Sequence, residues 1–570
     1  MEVSIIDDLD QSPVKGAPKR TLLDTLTFGF HRVIATVSDS FEIAEMFEAG
    51  DGTSFADFEQ YQISPLGYER RGDLIRKWIE VGHDETKSTN DVLKIFDDAE
   101  SLIENARLQH IASTVPIYVL SLLQASASGL SKEMHNSSFA HYYYFLVVGA
   151  LEKGGIKADQ MGPYIAACTH LSWFIKVNGD DHRISTAEFE RFVAAYSDEW
   201  TETDPTALLE VLTASRLIDS DGGAIYFTYP YSFYYFLGRY ASISIGQEQV
   251  DAYLEYCVRN LYVRECANTL LFLAHHTGND AVLELVINAL KEHFPQTAPM
   301  TLAKEDAKAV TSMMAMAPSL SYKNRKPGEY RKDIAKRRDQ NGNHDGLIEK
   351  PLPQRSLFHD LISLIKSIEI AGALLTHQFS NYQKTKKVDA IKQVFESSLR
   401  AIREIYCLFE KDHEQLIASL ALRAKQNSDL TAEQAEMQMR SAIGMLMRLI
   451  AAGLLSKAGI HLTSRDLVGH VDEVIGINPN QAYRLIKIAQ LLQHPGRLPR
   501  LEIDRIVRDE VDNPCVMGPL QLLVLQRMYM YETDYDDKDW AASVFSLGGS
   551  AKSLELRHRK GHHKLNWRTD

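Results

Sequence analysis

Hydrophobic and polar positions change their period along the chain, and the change divides it. Val3-Ser4-Ile5-Ile6 reads as a buried strand that runs straight into Asp7-Asp8-Leu9-Asp10, and Arg32 to Val37 (RVIATV) is a second β-branched run. Their separation suits strand, helix and strand in a parallel sheet. Two strands alone do not make a stable sheet, so further strands are expected upstream of Met1, or the region is an incomplete domain. From Glu69 the period becomes helical, with Leu74, Ile75, Trp78 and Ile79 on one face and Arg70, Arg71 and Lys77 on the other. Residues 92 to 180 continue as amphipathic runs, broken at Gly154-Gly155 and Met161-Gly162-Pro163.

The stretch 181 to 245 carries sharper local signals. Ser185-Thr186-Ala187-Glu188 is a capping box, and Asp204-Pro205 sets an N-cap residue before proline at the first helical position. Leu217 to Tyr229 then reads as strand, turn and strand about Asp221-Gly222-Gly223, with a further helix from Ser232. Helix, helix, hairpin is the element order of a winged helix. More helical runs fill 251 to 317. Pro318 to Arg355 is rich in Lys, Arg, Asp, Asn, Gly and Pro, which predicts a mobile linker. Beyond it, Val388, Ile391, Phe395, Leu399, Ile402, Ile405 and Phe409 keep one apolar stripe, which predicts a single long helix.

The expected fold class is mainly α: a partial α/β segment at 1–90, a helical domain at 91–180 and a winged helix at 181–245. A helical sensor region at 246–317, a linker at 318–356, a C-terminal helical array at 357–545 and a basic tail at 546–570 complete it.

Charge narrows the function classes. Across 570 residues, 62 Lys and Arg stand against 76 Asp and Glu, a net charge of −14, which argues against a chain built to wrap nucleic acid or lie on anionic lipid. The recognition helix of the winged helix, Thr206 to Arg216, carries Glu210, and its wing carries Asp219 and Asp221, so this face would repel phosphates. The five cysteines are scattered and form no CxxC pair, which fits a reducing cytoplasm. The most apolar stretch, Ala442 to Ile460, is interrupted by Arg448 and Lys457, so no membrane-spanning helix is expected.

Asp7-Asp8 at a strand end is what a nucleotide-binding sheet needs. One carboxylate there can hold Mg²⁺ and the next can orient water against a γ-phosphate, while Thr36 and Ser38 would bring hydroxyls to the same place. The pair equally suits a strand that ends in a solvated acidic loop. No GxxxxGK[ST] loop occurs in this sequence, and Gly548 to Ser553 lacks its first glycine and its Gly-Lys step.

From Val3 to Leu123 the sequence resembles the second half of the STAND class of P-loop NTPases, bacterial relatives of the NACHT and apoptotic-ATPase switches. Val3 to Asp8 is similar to the Walker B strand and Arg32 to Ser38 (RVIATVS) to the sensor strand after it. Tyr61 to Gly67 with Arg70 to Trp78 resembles the segment that follows, and Val115 to Leu120 the proline-bearing motif near the adenine. Phe227-Thr228-Tyr229-Pro230-Tyr231 resembles the hairpin exit of the winged helix that closes over ADP in this class. The resemblance implies ATP or ADP with Mg²⁺ as cofactors. It gives Asp7 the metal, Asp8 the hydrolytic water, Thr36 the γ-phosphate and Pro116 the adenine, and it sets Tyr229 where many members place a histidine for the β-phosphate. It further implies self-oligomerisation, a protein trigger or ligand at the C-terminal helices, and a role in antiviral defence. The P-loop and an effector domain are then expected upstream of Met1, with little or no ATPase activity from this chain alone. The alternative is a non-catalytic helical adaptor that binds a protein through 357–545.

Lesser candidates carry less. Asp339 to Asp345 imitates a calcium loop but has His344 in place of the glycine and Lys350 in place of the final carboxylate. His275 and His276 diverge by about 100° on a helix, so they do not share a metal easily. Arg70, Arg71 and Arg76 suit either a phosphate sensor in an oligomer or a solvated helix face.

Overall fold

Strand, helix and strand follow one another at the N-terminus as the residue pattern requires. In the computed structural model, β1 (Val3–Ile6) lies parallel to β2 (Arg32–Ala35), Val3 opposite Arg32 and Ile6 opposite Ala35, joined through α1 (Ala17–Gly29). The structure describes residues 3–6, 9, 17–36, 59, 61, 66–82, 88–108, 116, 119–120, 123, 138–323, 325–341, 347–426, 430–494 and 496–547. Leu9 and Leu23 are buried with Ile6 and Ala35 packed on them. The other face keeps Val3, Ile5 and Ile34 exposed, so the two-stranded sheet buries one side only.

The chain forms two compact units, Met1–Pro65 and Leu66–Asp570. The first unit ends at Pro65. Residues 68 to 108 side with the second unit because α2 (Tyr68–Val81) packs on α3 (Thr89–Leu108) and on a helix far along the chain, α13 (Pro327–Asn341).

In the second unit α4 (Ser138–Lys153) and α5 (Met161–Asn178) lead to a small sheet with two helices. β3 (Ile184–Ser185), α6 (Thr186–Glu199), α7 (Pro205–Ala214), β4 (Ile218–Asp221) and β5 (Ala224–Phe227) form an antiparallel sheet of order β3-β5-β4. Local chemistry sets these boundaries. The Ser185 hydroxyl accepts from the Glu188 N–H while Glu188 reaches back to the Ser185 N–H, and Asp204 accepts from the Ala207 N–H ahead of Pro205. Gly222 and Gly223, at φ 57° and 84°, give the two left-handed residues that a tight hairpin needs.

Helices fill the remainder: α8 (Pro230–Ile243), α9 (Glu248–Arg259), α10 (Arg264–His276), α11 (Asp280–Glu292), α12 (Lys308–Met316), then α13, α14 (Leu357–His377) and α15 (Lys384–Gln426). After these come α16 (Ala432–Ile460), α17 (Val468–Ile477), α18 (Gln481–Leu491), α19 (Arg500–Glu510), α20 (Pro514–Met530) and α21 (Tyr535–Val544). The molecule is thus mainly α with a minor α/β part. The stripe from Val388 to Phe409 lies on α15, which kinks at Asp412 (φ −122°), with Ile391, Phe395, Leu399, Ile402 and Ile405 buried.

α16 is the axis of the C-terminal block, packed by α12, α15, α18 and α20. It is long and apolar enough to cross a membrane, yet over half of its most apolar stretch is buried against these neighbours. The Arg448 guanidinium, deep among them, donates to the Met314 carbonyl at 2.5 Å. Gly444 permits the approach, since a Cβ there would run into the Met313 carbonyl of α12.

The expected linker at 318–356 contains the 15-residue helix α13. Its charged composition reads as solvated chain, but Arg331 and Asp339 have partners more than 190 residues away in sequence.

Candidate functional site

The residues drawn from the sequence as nucleotide ligands fall in both units. Asp7 and Asp8 lie outside the described residues, as do Ser38 and 548–553. The chain on either side of positions 7 and 8 is held by Thr36: its N–H donates to the Ile6 carbonyl at 2.9 Å, and its carbonyl accepts from the Leu9 N–H at 2.9 Å. Thr36 therefore sits across the carboxyl end of β1, where ligands of parallel sheets bind. In the second unit Pro116 is exposed. Tyr229 is the N-cap of α8 and is half-buried, its ring stacked on Tyr231 with centroids 5.3 Å apart and planes 14° from parallel.

The small sheet module is fastened to the helices around it by one buried carboxylate. Glu265, in the first turn of α10, takes Lys176 Nζ of α5 at 2.6 Å and lies 2.7 Å from His182 Nε2 in the turn before β3. The Tyr253 hydroxyl of α9 donates to it at 2.8 Å. Burial by itself would raise this carboxyl, but the His182 hydrogen bond and the Lys176 charge outweigh it and hold it at about 2. His182 reaches the site from a left-handed backbone, φ 61°, with Asp181 beside it at 49°, and its ring lies 4.4 Å from that of Phe233. Two adjacent non-glycine residues in this region store strain that the surrounding contacts must hold. Lys176, His182, Tyr253 and Glu265 thus join four elements at one point. No sequence motif announces them, because the partners are up to 89 residues apart, the spacing of Lys176 and Glu265.

A second cluster joins α2 and α3 to the C-terminal helices. Arg331 of α13 forms a two-pronged ion pair with Asp97 of α3, one contact being Nη2 to Oδ2 at 3.0 Å, and also donates to the Met530 carbonyl at 2.7 and 3.0 Å. Asp339 accepts the N–H groups of Tyr68 and Glu69 at 2.7 and 3.0 Å, capping α2 from across the joint. Arg71, for which the sequence allowed a phosphate sensor or a solvated face, is fully buried and bound to Glu100 at 2.9 Å, while Arg76 pairs with Asp73 at 2.5 Å. Between α2, α3, α13 and α20 lies a cavity of about 450 Å³, walled by Ile79, Leu93, Phe96, Ile334 and Met530.

His275 and His276 do diverge. His276 meets the Tyr235 ring at 4.9 Å and His275 meets His377 at 4.6 Å. Burial pushes His276 down to about 3 and His377 to about 4, so all are packed neutral rings. Among the described residues no three of His, Cys, Asp and Glu gather as a metal site, and residues 342–346 of the calcium-like stretch lie outside those described.

No curated protein and no solved structure matches the chain. Residues 182–237, which begin at His182 and run through the small sheet into α8, match the family model described as Novel STAND NTPase 4, and this match supports a STAND-class NTPase.

Proposed function

We propose that the chain is the regulatory and sensor part of a STAND-type nucleotide-dependent signalling switch, at work in the cytoplasm in antiviral defence. The observation that carries the reading is the match over residues 182–237, a segment whose first residue, His182, ties it to the surrounding helices through Glu265. In this scheme the helix–helix–hairpin module would act as a winged-helix lid over a bound adenine nucleotide, with Tyr229 at its exit the residue that would meet the β-phosphate.

The first unit supplies the hydrolytic edge. Asp7 would hold Mg²⁺, to which a carboxylate is chemically suited, Asp8 would orient the attacking water, and Thr36 would sense the γ-phosphate. The backbone bonds from Thr36 to Ile6 and Leu9 support this placement, since they couple the sensor strand to the residues on both sides of the acidic pair. Pro116 lines the adenine. The reading requires a phosphate cradle, and no GxxxxGK[ST] occurs within this sequence to provide it. Exchange of ADP for ATP, set off by a ligand at the C-terminal helices, would drive self-association.

The test is nucleotide binding by the natural polypeptide that carries a P-loop together with this sequence. Asp7→Ala should weaken Mg²⁺-dependent ATP binding with little effect on ADP alone, and Thr36→Ala should reduce the distinction between ATP and ADP. Unchanged nucleotide binding in both variants would remove these assignments. The lack of a phosphate loop in this sequence favours one rival, a non-catalytic helical adaptor. An adaptor would bind its partner equally with and without nucleotide.

A further inference from the structure

α13 is an unusual helix to find at a joint. Its apolar positions are few, and Tyr330, Ile334 and Ala335 are only half-buried, Pro327 alone being fully covered. It has no continuous apolar stripe of the kind that welds α15 or α16 into the core. What it has instead is a row of polar attachments on both sides. Towards α2 and α3 these are Asp339 on the first N–H groups of α2, Arg331 on Asp97, Lys332 and Lys336 at 3.6 and 3.8 Å from Glu69, and Arg338 over the Tyr68 ring. Towards α20 they are Arg331 on the Met530 carbonyl and Tyr330 stacked on Tyr529 at 4.7 Å.

The α2–α3 hairpin depends on this helix. α13 is the element against which α2 packs most, ahead even of α3, and the cavity of about 450 Å³ beneath it leaves the joint incompletely filled. A joint with an unfilled centre and charged ties gives up less close packing on opening than a fully packed core does. One further polar tie lies beside it: Asn90 and Glu532 exchange two hydrogen bonds of 3.1 Å, side chain to backbone.

We propose that α13 is a releasable electrostatic latch that fastens the α2–α3 hairpin to the C-terminal helical block. The hairpin is the first helical pair after the unit Met1–Pro65 in the chain. The consequence for signalling rests on the switch reading above, but the latch itself does not need nucleotide. Its key is the Arg331–Asp97 pair, whose side chains are 10 and 23% exposed and so are only partly screened by salt.

The test is hydrogen exchange by mass spectrometry on the full chain without nucleotide, comparing wild type, Arg331→Asp, Asp97→Arg and the double reversal. Each single reversal should speed exchange of peptides from 68–81 and 89–108 by about tenfold while 384–460 stays protected, and the double reversal should restore protection. Wild-type exchange in the single variants, or no recovery in the double variant, would overturn the latch. Should a reversal also expose 384–460, Arg331→Gln and Asp97→Asn give the same comparison with less disruption. Repeating the measurement with ADP and ATP on the polypeptide that carries the P-loop then separates the two claims: a latch that opens by mutation yet ignores nucleotide there keeps the latch and discards the switch.

Discussion

Glu265 shows how much one side chain can hold together. It receives Lys176, His182 and Tyr253 from three different elements and stays ionised while mostly buried. Removing one member of such a set leaves the others desolvated without a partner. Glu265→Gln should cost about 3 kcal/mol at pH 7, read by urea unfolding. The pH dependence has a definite sign. A carboxyl held at about 2 against an ordinary 4.5 stabilises the fold fully above 4.5 and loses that contribution as pH falls towards 2, so the gap between variant and wild type should close over that window. An equal gap at pH 7 and pH 3 would contradict the assignment.

The buried histidines act one window higher. His293, His377 and His461 are pushed down to about 4 by burial, so the unfolded chain takes up protons near 6.5 while the folded chain refuses them. Stability should therefore fall as pH drops from 7 to 5, and a flat profile of unfolding midpoints over that range would count against these rings being packed neutral. Little of this was legible beforehand. Ser185 and Asp204 could be read as caps because their partners lie three residues away, whereas Arg71 looked solvated because Glu100 lies 29 residues on.

Elements follow the same division between local and distant causes. The hairpin at 218–227 was legible because two adjacent glycines and β-branched or aromatic neighbours settle it within ten residues. The stripe on α15 was legible because period alone defines it, but the kink at Asp412 was not. α13 was hidden, since charge density means solvated chain unless distant segments supply counter-charges. Close helix contacts are equally silent in sequence. Gly444→Ala should cost about 2 kcal/mol, because the new methyl group meets the Met313 backbone and not a movable side chain. Ser185→Ala, which removes one half of a capping box, should cost about 1 kcal/mol. Denaturant midpoints of the two variants measure both, and a neutral Gly444→Ala would mean that α12 and α16 are free to separate.

At the scale of the whole molecule, two devices connect parts that are far apart in the chain: Glu265 for the family-matched module and α13 for the α2–α3 hairpin. Both are polar and both border the apolar core that runs through the helical blocks, to which Tyr253 and Ile75 belong. The two differ in how easily they release: the half-exposed ties of α13 can be exchanged for water or for a ligand, whereas the buried Glu265 set holds its module firmly. Composition and period gave away the mainly helical class and the α/β character of the first unit. The candidate site was legible only as chemistry at strand ends, since its acidic pair depends on what surrounds β1 and not on any local pattern.

The most direct test is to isolate the natural polypeptide bearing this sequence from its own cells through a C-terminal tag and to measure its nucleotide content. The switch account predicts about one adenine nucleotide per chain, retained by a polypeptide or tight complex that includes a GxxxxGK[ST] loop. A nucleotide-free isolate that folds, binds its partner and contains no such loop would contradict it.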